Sequence, residues 1–266
     1  MSDNHSTDAT ESICRGYAAR DPRIRYSRSE RNRGAAWNFN HVLDVSRGRY
    51  FKWASSNDIH APQYVSRCVE VLEARPEVVL CYPKSRLIDE DGAVISDFED
   101  NLDLPWPQPA RRFSEYLGRV RLCNAIFGLI RPEILRRTGR LGTYPGSDMV
   151  LLGELSLYGA FSEVPEYLFY RRQERQNLIR NQSVENWQEF FDPDTRGRIF
   201  MRTWRHQYEY LLATLRTPLP LVEKARVAGL IARVCITQRG DLARELGGAI
   251  MRLAGRRPGH GPAPMP

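Results

Sequence analysis

The sequence predicts an α/β protein with a mostly parallel sheet covered by helices and a helical appendage behind it. Over the first 160 or so residues, apolar and aromatic runs alternate with segments of helical periodicity, the βαβα order that builds parallel sheets. From about 185 the strand-like runs stop, and Phe200, Trp204, Tyr208, Leu211 and Leu215 step by three and four. At 42% apolar and 10% aromatic over 266 residues, the chain can bury a substantial core and is not compositionally disordered.

The elements follow in order. "DATESICRGYAAR" reads as a helix, with Asp8 and Glu11 at capping-box spacing and Ile13, Cys14 and Tyr17 on one face. "RIRYSR" is a short strand. "AAWNFNHVLDVSRG" is a helix that places Phe39, Val42 and Leu43 together, with Gly48 as its stop signal. "RYFKWA" reads as a strand and "QYVSRCVEVLEAR" as a helix carrying Val65, Cys68, Val69 and Leu72 at helical spacing. "EVVLCY" is a buried strand, and "LIDEDGAVIS" two strands around an Asp91-Gly92 turn. "NAIFGLIR" is a strand, and Pro132 opens a short helix. "SDMVLLGELSLYG" is a helix capped by Ser147 and stopped by Gly159, and "EYLFYRR" a strand. Two amphipathic helices follow, "LVEKARVAGLIARVCI" and "DLARELGGAIMRLAGRR". The domain boundaries expected are 1–180 for the sheet domain, 181–256 for the helical appendage and 257–266 for a disordered tail.

The totals exclude some functions. No run of about 18 apolar residues is present, so no membrane-spanning helix is expected. The polar start "MSDNHSTDATES" carries no signal-peptide character. The five cysteines are scattered, as are the five histidines, which argues for reduced thiols, a cytoplasmic location and no His/Cys zinc site. The net charge of +7 attracts anions, but no basic block with interleaved aromatics is present, and nucleic acid is not an expected partner.

In open α/β sheets, ligands bind beyond the carboxyl ends of the strands. Two polar clusters fall there, "SDNHSTD" at 2–8 and "SSND" at 55–58. A carboxylate at a strand end can hold a hard divalent cation when phosphates supply the remaining oxygens; an ordinary loop or cap role is the alternative. Asp148, after the turn "TYPG", begins a helix and could deprotonate a hydroxyl nucleophile, or could serve as a cap beside Ser147.

Residues 2–175 resemble family 2 glycosyltransferases with the GT-A fold, the Rossmann-like nucleotide-diphospho-sugar transferase architecture. The landmarks run in the family's order: the "DN-ST-T" segment, "N-G-A--N-N" at 32–40, "G-Y-KWA--ND" at 48–58, and "SD--LL-EL-L-G-F--VPE-L--YR" at 147–171. The resemblance implies transfer of a sugar from a UDP-, dTDP- or GDP-sugar to a hydroxyl on a saccharide or lipid-linked acceptor. It also implies inversion at the anomeric carbon and a role in surface polysaccharide or glycoconjugate synthesis. It places Asp3, Asn4, Asn38, Asn57 and Asp58 at the nucleotide sugar, Asp3 on the base, and Asp58 as ligand to Mn2+ or Mg2+. Asp148 becomes the general base, and peripheral contact with the inner membrane face is a further implication.

Three departures stand out. Asn57 replaces the family's usual acid beside Asp58. Gln173 stands where a His often follows "YR". Family members also carry a strand and helix ahead of the "DN" segment, so the domain is expected to be N-terminally incomplete, with an unpaired edge between "RIRYSR" and "RYFKWA". A non-catalytic GT-A-like scaffold is therefore the alternative reading.

Overall fold

The computed structural model describes residues 1–173, 184–195 and 199–254. In chain order the elements are β1 (Ser2–Asp3), α1 (Thr10–Arg20), β2 (Ser27–Arg28), α2 (Ala35–Asp44), β3 (Ile59–His60), α3 (Tyr64–Ala74), β4 (Val78–Ile88) and β5 (Val94–Phe98). Then come α4 (Pro109–Arg119), β6 (Leu129–Ile130), α5 (Pro132–Leu135), α6 (Ser147–Tyr158), β7 (Ala160–Arg172) and α7 (Val184–Phe191). The last three helices are α8 (Arg202–Arg216), α9 (Leu221–Thr237) and α10 (Arg239–Leu253).

Two sheets form. β1 and β2 pair in parallel. The second sheet runs β3-β7-β4-β5, with β6 also on β4. The sheet is mixed. Its longest pairing, β4 with β7, is parallel from Val78↔Ala160 to Ile88↔Arg172, as the alternation predicts, while β3, β5 and β6 add antiparallel edges. β4 is apolar and buried over nearly its whole length, the pattern of a strand covered on both faces.

One core lies between this sheet and helices α4 and α6, built on Phe113, Tyr116, Leu151, Leu155 and Phe161; a second, around Tyr64, Cys68, Leu72 and Phe169, lies under α3. Tyr210, Val227 and Ile231 belong to the first core, so α8 and α9 pack onto α4 and α6 instead of standing apart. Buried Arg112 closes the carboxyl end of α6, donating to the carbonyls of Ser156 (2.7 Å) and Leu157 (3.1 Å) and also to those of Trp106 and Pro107.

Several expectations need correction. "RYFKWA" forms no continuous strand. Only Phe51 finds a ladder partner, exchanging hydrogen bonds with Ile130, because β6 is two residues long. β6 is short because "NAIF" coils into a 3-10 turn after Cys123, whose φ of 56° turns the chain. Helix α1 has no capping box: Asp8 accepts from Thr10, and Glu11 pairs with Arg15 and Arg28. Its expected apolar face is open, with Ile13 and Tyr17 more than half exposed. Ser147 does not cap α6; its hydroxyl is buried without a partner, and Gly146 holds the N-cap position. Val65 is exposed, and Tyr64 takes its place in the core. The tail expected at 257–266 lies outside the described residues.

Candidate active site

Asp58 follows the segment that ends in buried Trp53. Its Oδ1 accepts the backbone N–H of Arg172 at 3.0 Å, which fastens the 55–58 loop to the carboxyl end of β7. Burial raises the Asp58 pKa; the Arg172 N–H and the charges of Arg171, Lys52 and Arg172 work against that rise. Arg172 completes the fastening, with Nε donating to Asn57 O at 2.9 Å and Nη1 to Asp89 O at 2.7 Å. The Asn57 side-chain oxygen accepts from Ser55 Oγ. Beneath the loop, Lys52 Nζ sits 2.7 Å from His60 Nε2 and over the Tyr64 ring. Burial brings Lys52 down to about 8. His60 falls to about 4, first from burial and then from the charge of Lys52. His60 is therefore neutral at pH 7 and its Nε2 can accept a hydrogen bond from the Lys52 ammonium.

Arg171, the neighbour of Arg172, points to a different set of groups. Its Nη1 donates to Leu122 O at 2.7 Å and Asn124 Oδ1 at 2.6 Å. Asp100 lies by the same turn, accepting the backbone N–H of Asn124 at 3.1 Å, and burial lifts its carboxyl to about 6. Cys123, fully buried, is within electrostatic reach of Asp148, Asp100, Arg171 and Arg202. Cys123 thus lies in the field of both Asp148 and Arg171, and Arg171 also acts on Asp58.

Asp148 is half-buried in the first turn of α6, its Oδ1 accepting the Met149 N–H at 2.9 Å. Three side chains set the position of that turn. Tyr116 donates to Met149 O at 2.5 Å, Tyr210 reaches the same oxygen at 3.4 Å, and His206 Nε2 donates to Pro145 O at 2.9 Å. Gly146 adopts φ 81°, and a Cβ there would stand 2.5 Å from the His206 ring.

The first predicted cluster turns inward. Asp3 is buried, with Oδ1 accepting the Ser6 N–H at 2.7 Å and Oδ2 facing Tyr26 Oη at 2.7 Å and Arg28 Nε at 3.2 Å. Burial alone would raise its pKa, but the hydrogen bonds of Tyr26 and Ser6 and the charge of Arg28 outweigh it and hold Asp3 at about 2. Asn4 binds Asn32 Oδ1 and the Arg33 N–H, and Asn38 accepts Ser2 Oγ at 2.5 Å. Asn4 and Asn38 staple the β1 segment to the start of α2, while Asp3 ties it to Tyr26 and to Arg28 of β2. A groove of about 760 Å3, lined by Arg28, Arg31, Arg33, Trp37 and His41 among others, opens beside β2 and contains neither Asp58 nor Asp148.

The donor set at Asp58 does not fit a hard divalent cation. One carboxylate oxygen is already taken, the Asn57 oxygen is engaged by Ser55, and three cationic side chains surround the position. Among the described residues no three His, Cys, Asp or Glu side chains gather to bind a metal. Lys52, Asp100, Asn124 and Arg171 were not singled out from the sequence. Arg171 stands inside the "YR" landmark, where its type was visible but its reach to Asn124 was not.

The fold is that of the GT-A glycosyltransferases. Staphylococcus aureus TarS 1–349, solved with UDP-GlcNAc, superimposes with a TM-score of 0.60 at 13% identity, covering 94% of this chain and 70% of that one. Residues 1–137 match the model of glycosyl transferase family 2, and the chain belongs to that family. An uncharacterized protein of Mycobacterium tuberculosis is 38% identical over 100 residues, 37% of this chain and 29% of its own length. The chondroitin synthase of Escherichia coli is 30% identical over 122 residues, 46% of this chain and 16% of its own. The chain therefore matches less than a third of the length of either relative. Among the described residues no helix is long and apolar enough to cross a membrane.

Proposed function

We propose that this chain transfers a sugar from a nucleoside-diphosphate sugar to a hydroxyl acceptor with inversion, using Asp148 as general base. The observation that carries the reading is the fastening of Asp58 to the carboxyl end of β7, beside the cationic pair Arg171 and Arg172, together with Asp148 in the first turn of α6, a turn held by Tyr116, Tyr210 and His206. A departing diphosphate needs positive charge near Asp58, and an attacking hydroxyl needs a carboxylate away from it. In a single in-line displacement, the acceptor oxygen bonds to the anomeric carbon as the bond to the diphosphate oxygen breaks. The hydroxyl proton passes to Asp148, and the configuration inverts. Asp3, Asn4 and Asn38, held by their own network, would shape the wall against the nucleotide.

A role in polysaccharide or glycoconjugate synthesis belongs to the same reading. So does peripheral contact with an anionic membrane face through the exposed Leu246, Ile250 and Leu253 of α10 and the arginines nearby. Vesicle co-sedimentation that ignores both anionic lipid and salt would remove that contact.

The test is turnover of labelled UDP-, dTDP- and GDP-sugars. Asp148→Asn should lower it by roughly two to four orders of magnitude while donor binding persists. Turnover near wild type would return Asp148 to a structural role. A folded wild-type chain that binds no donor would favour the scaffold reading.

A further inference from the structure

We propose that the diphosphate of the donor is bound by the guanidinium of Arg171, in place of the divalent cation that the family pattern puts on Asp58. The proposal rests on the donor reading above and identifies what neutralises the phosphates. Around the position stand Lys52, Arg171 and Arg172 against Asp58 and, behind Arg171, buried Asp100, a formal local charge of plus one (three cations minus two anions). A divalent cation entering there meets three like charges and one free carboxylate oxygen; a diphosphate meets the complementary sign.

The three cations are not equivalent. Arg172 is spent on the carbonyls of Asn57, Asp89 and Glu90 and so shapes the loop. Lys52 is directed at His60 and the Trp53 carbonyl. Arg171 commits only Nη1, to Leu122 O and Asn124 Oδ1, and no carboxylate lies within ion-pair distance of it among the described residues. Among the described residues its Nε and Nη2 donors stay uncommitted, on a half-buried side chain already fixed in one orientation. A pre-oriented fork of N–H donors suits a phosphate oxygen pair.

The experiment measures binding of UDP, GDP, dTDP and inorganic pyrophosphate to the full chain by calorimetry, in excess EDTA and in millimolar Mn2+. The expected result is an affinity for at least one nucleoside diphosphate that is the same in both buffers and falls as salt rises. Arg171→Gln should weaken it by roughly ten- to a hundredfold, the weight of one charge-assisted contact, and Arg171→Lys should restore part of the loss. Recovery by lysine separates a role for charge from mere support of the Asn124 turn. Asn57→Asp, which adds the missing acid, should create a response to Mn2+ that the wild type lacks. Binding lost in EDTA, regained with Mn2+ and unchanged in Arg171→Gln would overturn the proposal, as would failure of every probe to bind. Arg171-dependent binding of pyrophosphate with no binding of any nucleoside diphosphate would uphold the anion site and sink the donor reading instead.

Discussion

At the scale of single residues, environment separates four aspartates that look alike in the sequence. Asp3 is held at about 2 by Tyr26, Ser6 and Arg28, whereas burial lifts Asp100 to about 6. The second shift has a measurable consequence. Between about pH 4 and 6 the folded chain keeps a proton on Asp100 that the unfolded chain releases. This carboxyl therefore lowers stability as pH rises through that window, and the penalty is constant above it. Asp100→Asn should remove the slope, so that between pH 4 and pH 8 the wild type loses up to about 3 kcal/mol of stability that the variant keeps. Denaturant unfolding of both proteins across pH 4 to 8 checks this, and parallel curves would mean that Asp100 is ionised throughout. Asp148 and Asp58 are functional readings of the same residue type, distinguished by their positions at the start of α6 and beside the end of β7.

At the scale of elements, the first turn of α6 depends on a contact between distant segments. Gly146 combines a left-handed φ with a ring only 2.5 Å from where a Cβ would go, so Gly146→Ala should cost about 1 to 3 kcal/mol and displace Asp148. Combining it with His206→Ala should recover part of the loss, because the clash and the strain are separable. Thermal unfolding of the two single variants and the double variant measures the coupling, and strict additivity would show that the ring does not restrict the turn. At the other end of α6, Arg112 donates to four carbonyls. Arg112→Met should cost about 2 to 4 kcal/mol, since those buried acceptors lose their donors while the apolar volume is kept. A change in denaturation midpoint of only a few tenths of a kcal/mol would show that water replaces them.

At the scale of the whole molecule, the C-terminal helices share the core of the sheet domain through Tyr210, Val227 and Ile231. The chain should therefore unfold as one unit. Val227→Asp buries an unpaired charge at that junction and should lower stability by about 3 kcal/mol or more, with helix circular dichroism and tryptophan fluorescence changing together. Two separate transitions would make the helices an independent unit. The same helices reach the site, since His206 and Tyr210 of α8 hold the turn that carries Asp148.

The sequence by itself determined the α/β class, the family, and the existence and type of the long elements, because hydrophobic periodicity and the landmark spacing are local signals. It also marked the strand-end acids and the Asn57 departure. The tertiary structure decided how far each short strand extends, since "RYFKWA" needed a partner of its own length and β6 offers two residues. It decided that Asp3 faces inward, that Ser147 is no cap, and that Arg171 rather than Arg172 keeps donors uncommitted. Those outcomes turn on contacts between residues tens of positions apart. Local propensity and spacing carry no record of which buried donor meets which acceptor once the chain has packed.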